Sequence, residues 1–337
     1  MTELYQITCV QTVIHSCGGV DVAESRIRRK ANLGRALELL DRRCGGRRAG
    51  SMKIAVFPEF FLAGIPSKET AKEWIEKACI ETPGEETDRF GEYARKYGLY
   101  IAGNAYAVDR DLPGAYFNTS FVIDPQGKIV SIYKRNHSSY CSTPGDLWDE
   151  FLKKKGYDAL FPVVDSPLGK LACFPCGEIN FPEVARMFRM KGTEVLLHPT
   201  GEPYGEHREG WEQARRTRAY ENLCYLASTN HSQLLSPVEA EWRSHGGSEI
   251  IDFTGRVIAK IQGPGEAMVS ATVDIDTLRK RRGTGADWCS QLKTEIFAPM
   301  YEKTKIYPVN NYLNKRMESL SEIDETRKKA FATMTQQ

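Results

Sequence analysis

The sequence predicts an α/β fold built on mixed sheets, and three observations carry that prediction. Short apolar runs repeatedly precede amphipathic stretches of helical period. Two segments, 115–133 and 248–261, read instead as hairpins, because polar turn residues separate runs rich in β-branched and aromatic side chains. No Ser-, Pro- or Gly-rich linker interrupts the mixture, which favours one domain of sheets covered by helices.

In chain order, a strand at 5–13 leads into a helix at 23–41. A strand at 54–57 is followed by helices at 70–77 and 85–97. Strands at 100–106 and 116–123 come next, the second opening the first hairpin. A strand at 171–174 breaks at Pro175, and Pro182 fits the first turn of a helix at 182–191. A strand at 195–198, a helix at 210–222 and a strand at 224–229 precede the second hairpin, whose turn is Thr254-Gly255. The last strand is 267–273. After about Asp276 the pattern gives way to charged segments with few apolar anchors per turn. A domain over 1–276 is therefore expected, with an extension over 277–337 that stands apart from the core and either contacts a neighbouring subunit or is partly disordered.

At 337 residues, with 41% apolar and 27% charged side chains, the chain has the profile of a globular protein with a substantial core. Lys and Arg number 46 against 44 for Asp and Glu, and the basic runs at 26–30, 42–48 and 279–282 are short and separated. Such a distribution argues against nucleic acid as a partner. Residues 1–15 lack the sections of a signal peptide, and no apolar stretch approaches about 18 residues, so no membrane partner is expected and the predicted location is cytoplasmic. Nine cysteines at irregular spacing argue for reduced thiols rather than a disulfide framework.

Three segments carry chemistry. In Leu171-Ala-Cys-Phe-Pro-Cys176-Gly-Glu-Ile-Asn-Phe-Pro-Glu183, an apolar strand breaks and delivers Cys176 onto a sharp turn, where backbone N–H groups can stabilise a thiolate and an oxyanion. Cys173 and Cys176 form a C-x-x-C pair, but no second pair and no adjacent histidines complete a metal set, so neither metal nor cofactor is expected. None of the six histidines stands in a cysteine-protease setting. The base is sought instead at Glu59, in Val56-Phe-Pro-Glu59-Phe-Phe-Leu-Ala-Gly64, where apolar neighbours raise a carboxyl pKa toward the working pH. Lys134 and Arg135 end a hairpin strand with adjacent cations, either of which suits a thiolate and a developing oxyanion.

Together, in the order Glu59, basic pair, Cys176, these segments resemble the nitrilase superfamily of carbon-nitrogen hydrolases, in its amidase and carbamoylase branches. The nucleophile motif, like C-Y-D-x-R/N-F-P-E, is matched by Cys176-Gly-Glu-Ile-Asn-Phe-Pro-Glu183, and the base motif by Pro58-Glu59. Further matches are Lys191-Gly-Thr-Glu-Val-Leu-Leu-His-Pro-Thr200, Arg218-Ala-Tyr-Glu-Asn-Leu-Cys-Tyr225 and Gly247-Ser-Glu-Ile-Ile-Asp-Phe-Thr-Gly255. The resemblance implies a four-layer αββα sandwich of two mixed sheets, a Glu-Lys-Cys triad and subunits that pair as homodimers or higher homo-oligomers.

Carried over, Cys176 is the nucleophile and Glu59 the base. The spacing places Arg135 in the family's lysine slot, whereas proton chemistry favours Lys134, since an arginine exchanges no proton at neutral pH. Lys134 is taken as the cation and Arg135 as its alternative. Glu150 is the candidate second glutamate. The resemblance gives oxyanion or substrate contacts to Gly177, Glu178, Asn180, Thr200 and Tyr204, and Arg208, Arg215 and Arg216 are candidates to clamp a substrate carboxylate. The implied activity is hydrolysis of a small non-peptide amide through a cysteine thioester. The alternatives are an N-carbamoyl amino acid hydrolase, a nitrilase and, in another class, an inactive binding or assembly protein.

Overall fold

The computed structural model describes residues 3–45, 51–238, 244–285 and 287–334, so the basic run at 42–48 lies partly outside the described residues. The chain opens with β1 (Tyr5–Gln11), β2 (Ile14–His15) and α1 (Val22–Cys44), the helix starting where the Asp21 carboxylate accepts the Glu24 N–H. After β3 (Met52–Val56), α2 (Ala71–Ala78) begins on a reciprocal Thr70/Glu73 capping box. Next comes α3 (Glu85–Tyr97), acidic in its first turn, basic in its last and closed by a left-handed Gly98. Then follow β4 (Tyr100–Val108), β5 (Tyr116–Ile123), β6 (Ile129–Lys134), α4 (Trp148–Lys155), β7 (Val164–Ser166) and β8 (Gly169–Cys173). The second half holds α5 (Pro182–Met190), β9 (Val195–Pro199), α6 (Arg208–Asn222), β10 (Tyr225–Thr229), β11 (Leu234–Leu235), β12 (Glu249–Ile251), β13 (Val257–Lys260) and β14 (Ala267–Val273). It ends with α7 (Ile275–Arg282), α8 (Thr294–Lys303) and α9 (Leu320–Met334).

Twelve of the strands form two six-stranded mixed sheets, in the orders β14-β1-β3-β4-β5-β6 and β13-β12-β10-β9-β8-β7, and β2 pairs with β11. Both expected hairpins are present, as the antiparallel pairs β5-β6 and β12-β13. The sheets pack face to face, and strand alternation decides which side chains meet between them. Ile7, Cys9, Ile54, Val56, Leu171, Cys173, Val195 and Leu197 fill the layer between the sheets. Their neighbours Ala172, Phe174 and Leu196 face outward to α5 and α6. On the outer face of the first sheet, Phe57, Phe61, Phe90, Trp74 and Tyr106 pack with α1 to α4. The result is the expected αββα sandwich.

The extension departs from expectation in two places. Ile275 and Leu278 of α7 are buried in the layer between the sheets, so a boundary at 276 cuts a helix that belongs to the core. Farther on, Tyr312, Met317 and Ile323 are buried in the cluster under α1 to α4, and the backbone N–H groups of Asn310 and Tyr312 donate to Gly145 and Asp146 carbonyls. A tail standing apart is thus corrected for this stretch: its anchors are spaced too widely to produce a periodic signal, yet each finds an apolar site.

Candidate active site

Three strand ends converge where the two sheets are tied together. Beyond β3 the Phe57 N–H still pairs with Ala102 of the first sheet, and two residues later the Glu59 N–H reaches Thr200 at the end of β9 in the second. Glu59 is thereby trapped between the sheets, essentially inaccessible to solvent. On β6 the ladder continues one residue past Lys134, the Arg135 N–H donating to Asn118. Beyond β8, Pro175 ends the pairing and Cys176 takes a left-handed φ of 45°, opening a short 3-10 turn over Cys176–Asn180. A non-glycine residue in that region stores local strain, which the surrounding structure must hold in place. One support is His198: its Nε2 lies 2.9 Å from the Cys176 carbonyl oxygen, and its Nδ1 2.9 Å from Ser228 Oγ. Burial lowers His198 to a pKa of about 4, so the ring is neutral at pH 7. Because a carbonyl only accepts, Nε2 carries the proton and Nδ1 accepts from Ser228.

The side chains meet as follows. The Cys176 thiol lies beside the Glu59 carboxylate, close enough for each to perturb the other. Glu59 Oε1 accepts from Asn118 Nδ2 at 2.7 Å and from Arg135 Nη1 at 2.7 Å, while Arg135 Nε donates to the His137 carbonyl at 2.5 Å. Asn118 is held by Asn104, which also accepts the Phe60 N–H at 2.9 Å, so Glu59 is braced from behind. Burial raises the Glu59 pKa above the ordinary carboxyl value, with the Arg135 charge opposing it. Burial also raises the Cys176 thiol well above its usual value, and the Glu59 charge adds to that while Arg135 works against it. Cys176 therefore rests as a thiol. Burial disfavours the Arg135 charge, but Glu59 more than compensates and the guanidinium stays charged. The arrangement can pass the thiol proton to a buried carboxylate beside a fixed cation.

Of the sequence-stated candidates, Glu59, Cys176, Gly177, Thr200 and Arg135 come together. Thr200 lies against the thiol and donates its hydroxyl to Glu202 at 2.9 Å. Lys134 does not join them. Alternation turns its side chain to the opposite face of the strand, where Nζ is 2.7 Å from Asp109 and 5.2 Å above the Phe117 ring. Glu150, on α4, pairs with Arg316 of the extension at 2.7 Å rather than with the basic pair. Glu178 is fully buried, and its carboxylate accepts from Tyr133 Oη at 2.6 Å and from the Asn136 and His137 N–H groups at 2.8 and 3.1 Å. It ties the Arg135 loop to the Cys176 turn instead of facing substrate. Asn180 is exposed at the end of that turn, and Tyr204 is 68% exposed. Arg215 is buried between Glu202 and Glu249, Arg216 bonds the Gly255 carbonyl and Arg208 pairs with Glu212, so each is already engaged. Cys173 faces the layer between the sheets, away from the Cys176 turn. Sequence reasoning did not single out Asn118 and His198. A lone amide within an apolar strand and a histidine closing another were the available signals.

A family model described as carbon-nitrogen hydrolase matches residues 11–282. An omega-amidase of Xenopus tropicalis is 27% identical over 251 residues, covering 74% of this chain and 86% of the relative. A formamidase of Bacillus cereus is 30% identical over 247 residues, covering 72% of this chain and 67% of the relative. Among solved structures, a carbon-nitrogen hydrolase from Helicobacter pylori G27 superposes with a TM-score of 0.70 at 19% identity, over 90% of this chain and 99% of that one. An amidase variant from Nesterenkonia sp., carrying the acetamide moiety of fluoroacetamide on its active-site cysteine, superposes with a TM-score of 0.61 at 16% identity, over 88% and 96%. Both structures share the fold.

Proposed function

The chain belongs to the carbon-nitrogen hydrolase family, and on that premise we propose that it is an amidase of small carboxamides working through Cys176, Glu59 and Arg135. The observation that carries the reading is the buried contact of thiol, carboxylate and guanidinium. Sγ attacks the carbonyl carbon as its proton passes to Glu59. The carbonyl oxygen becomes an oxyanion, held by Arg135 and the Gly177 N–H. Collapse breaks the carbon-nitrogen bond, Glu59 returns the proton to the leaving nitrogen, and a thioester remains. Water then gives a proton to Glu59 and attacks the thioester. The acid leaves and the proton returns to Cys176. Arg135 supplies charge and geometry but no proton, so Glu59 carries every transfer. The names of the curated relatives favour an amide over a nitrile or carbamoyl substrate.

The test is ammonia release from a panel of formamide, ω-amides of dicarboxylic acids, nitriles and N-carbamoyl amino acids, a carbamoyl substrate also yielding carbon dioxide. Amide turnover that falls at least about 10³-fold in Cys176→Ser and Glu59→Gln supports the reading, in keeping with removal of a nucleophile or its base. Turnover unchanged in Cys176→Ser would sink it. The proposal extends to a homodimer, supported by the exposed Ile296, Phe297, Met300 and Tyr301 of α8 beside Met190 of α5. It extends also to a cytoplasmic setting, supported by nine cysteines that all stand as free thiols. No helix among the described residues is long and apolar enough to cross a membrane.

A further inference from the structure

Gly177 follows the nucleophile directly, yet its backbone does not call for glycine, since its φ lies outside the left-handed region. What excludes a side chain there is Arg135. A Cβ on Gly177 would stand 2.8 Å from Arg135 Nη2 and 3.6 Å from the Trp211 ring. The far end of an arginine ordinarily swings aside at little cost, but this one is pinned twice, by Nε on the His137 carbonyl and by Nη1 on Glu59. Because the guanidinium is rigid and planar, Nη2 cannot move without giving up one of those bonds. Nη2 itself makes no hydrogen bond among the described residues, and it lies against Gly177 in the Cys176 turn.

We infer that Gly177 is a positioning residue for Arg135: the missing side chain lets the guanidinium lie beside the Cys176 turn with Nη1 orienting Glu59 and Nη2 offered to the acyl oxygen of the substrate. The identity of that oxygen rests on the amidase reading; the size coupling of residues 135 and 177 does not. A fork of two donors serves base and substrate together, whereas a lysine at 135 offers a single ammonium on a flexible stem. The lysine has no counterpart of Nη2, so it leaves the space at 177 open.

The coupling is read from a cycle of wild type, Gly177→Ala, Arg135→Lys and the double variant. For each, kcat and KM on the best amide are measured, with the rate of Cys176 alkylation by iodoacetamide across pH and the thermal midpoint. Gly177→Ala should lower kcat about 100-fold in the wild-type background, the scale of losing one oxyanion donor, with a smaller change in KM and a shifted alkylation profile. In the Arg135→Lys background the same substitution should cost less than about twofold, the scatter of independent sites. Equal losses in both backgrounds overturn the inference. Should Gly177→Ala fail to fold, recovery of folding in the double variant supports the coupling, and failure in both backgrounds overturns it. If no amide is turned over by the wild type, the amidase reading fails, and the alkylation rates still decide: unequal sensitivity to Gly177→Ala supports the coupling and equal sensitivity overturns it.

Discussion

Glu59 receives two donors on one oxygen and lies beside the Cys176 thiol, and its burial sets the expected pH dependence. In the proposed mechanism Glu59 must be ionised to accept the thiol proton, and burial raises its pKa above the ordinary value. The acid limb of kcat/KM should therefore lie higher than for an exposed carboxylate, with activity lost as pH falls through it. Asn118→Leu removes a hydrogen bond that favours the charged form, so that limb should move to still higher pH. A pH profile of kcat/KM for both proteins checks this, and a limb that stays put or moves down contradicts it. At this scale the adjacent cations also divide. Arg135 touches Glu59, while Lys134 touches Asp109.

At the scale of elements, that division follows from β6. Alternation can send only one of two neighbours toward Glu59, and the ladder bond from Arg135 to Asn118 fixes which. Lys134 then serves the fold. Burial pushes Asp109 up, but the hydrogen bond and charge of Lys134 outweigh it and hold the carboxyl below its usual value, with Lys155 adding at 3.0 Å. For a depressed carboxylate, the stability contribution is present above the unfolded pKa and is lost as pH falls through the folded one. Lys134→Met should cost about 2–3 kcal/mol of stability at pH 7, less than the ~3–5 typical of a broken buried pair because Lys155 still covers Asp109. It should leave the acid limb of kcat/KM where it was. Urea unfolding, followed at pH 7 and pH 3, should show the deficit shrinking at the lower pH. Loss of activity without loss of stability would instead return Lys134 to the catalytic site.

For the whole molecule, two sheets tied through Glu59 and Thr200 place three strand ends at one point, and the extension closes over the opposite face of the first sheet through Tyr312, Met317 and Ile323. The helix α8 between them leaves Phe297 and Met300 uncovered in the single chain. Phe297→Asp with Met300→Asp should convert the proposed dimer to a monomer by light scattering, while the thermal midpoint changes by no more than the lost association accounts for. An unchanged mass would remove α8 from the interface.

The sequence by itself predicted most of the core strands and helices in order, the two hairpins, and Glu59 and Cys176 as separate candidates, because periodicity, the break at Pro175 and the apolar surroundings of Glu59 are local signals, while the resemblance joined the two candidates. It offered both Lys134 and Arg135 and preferred the lysine on proton chemistry. Tertiary structure alone put Arg135 beside Glu59, since which face of β6 meets the base depends on its register against β5, a long-range pairing that one strand does not encode. The same holds for Glu178, a carboxylate two residues from the nucleophile that the folded chain uses as a buried clamp on the Arg135 loop. Asn118, His198 and the bond between Glu150 and Arg316 likewise exist only once distant segments are packed together.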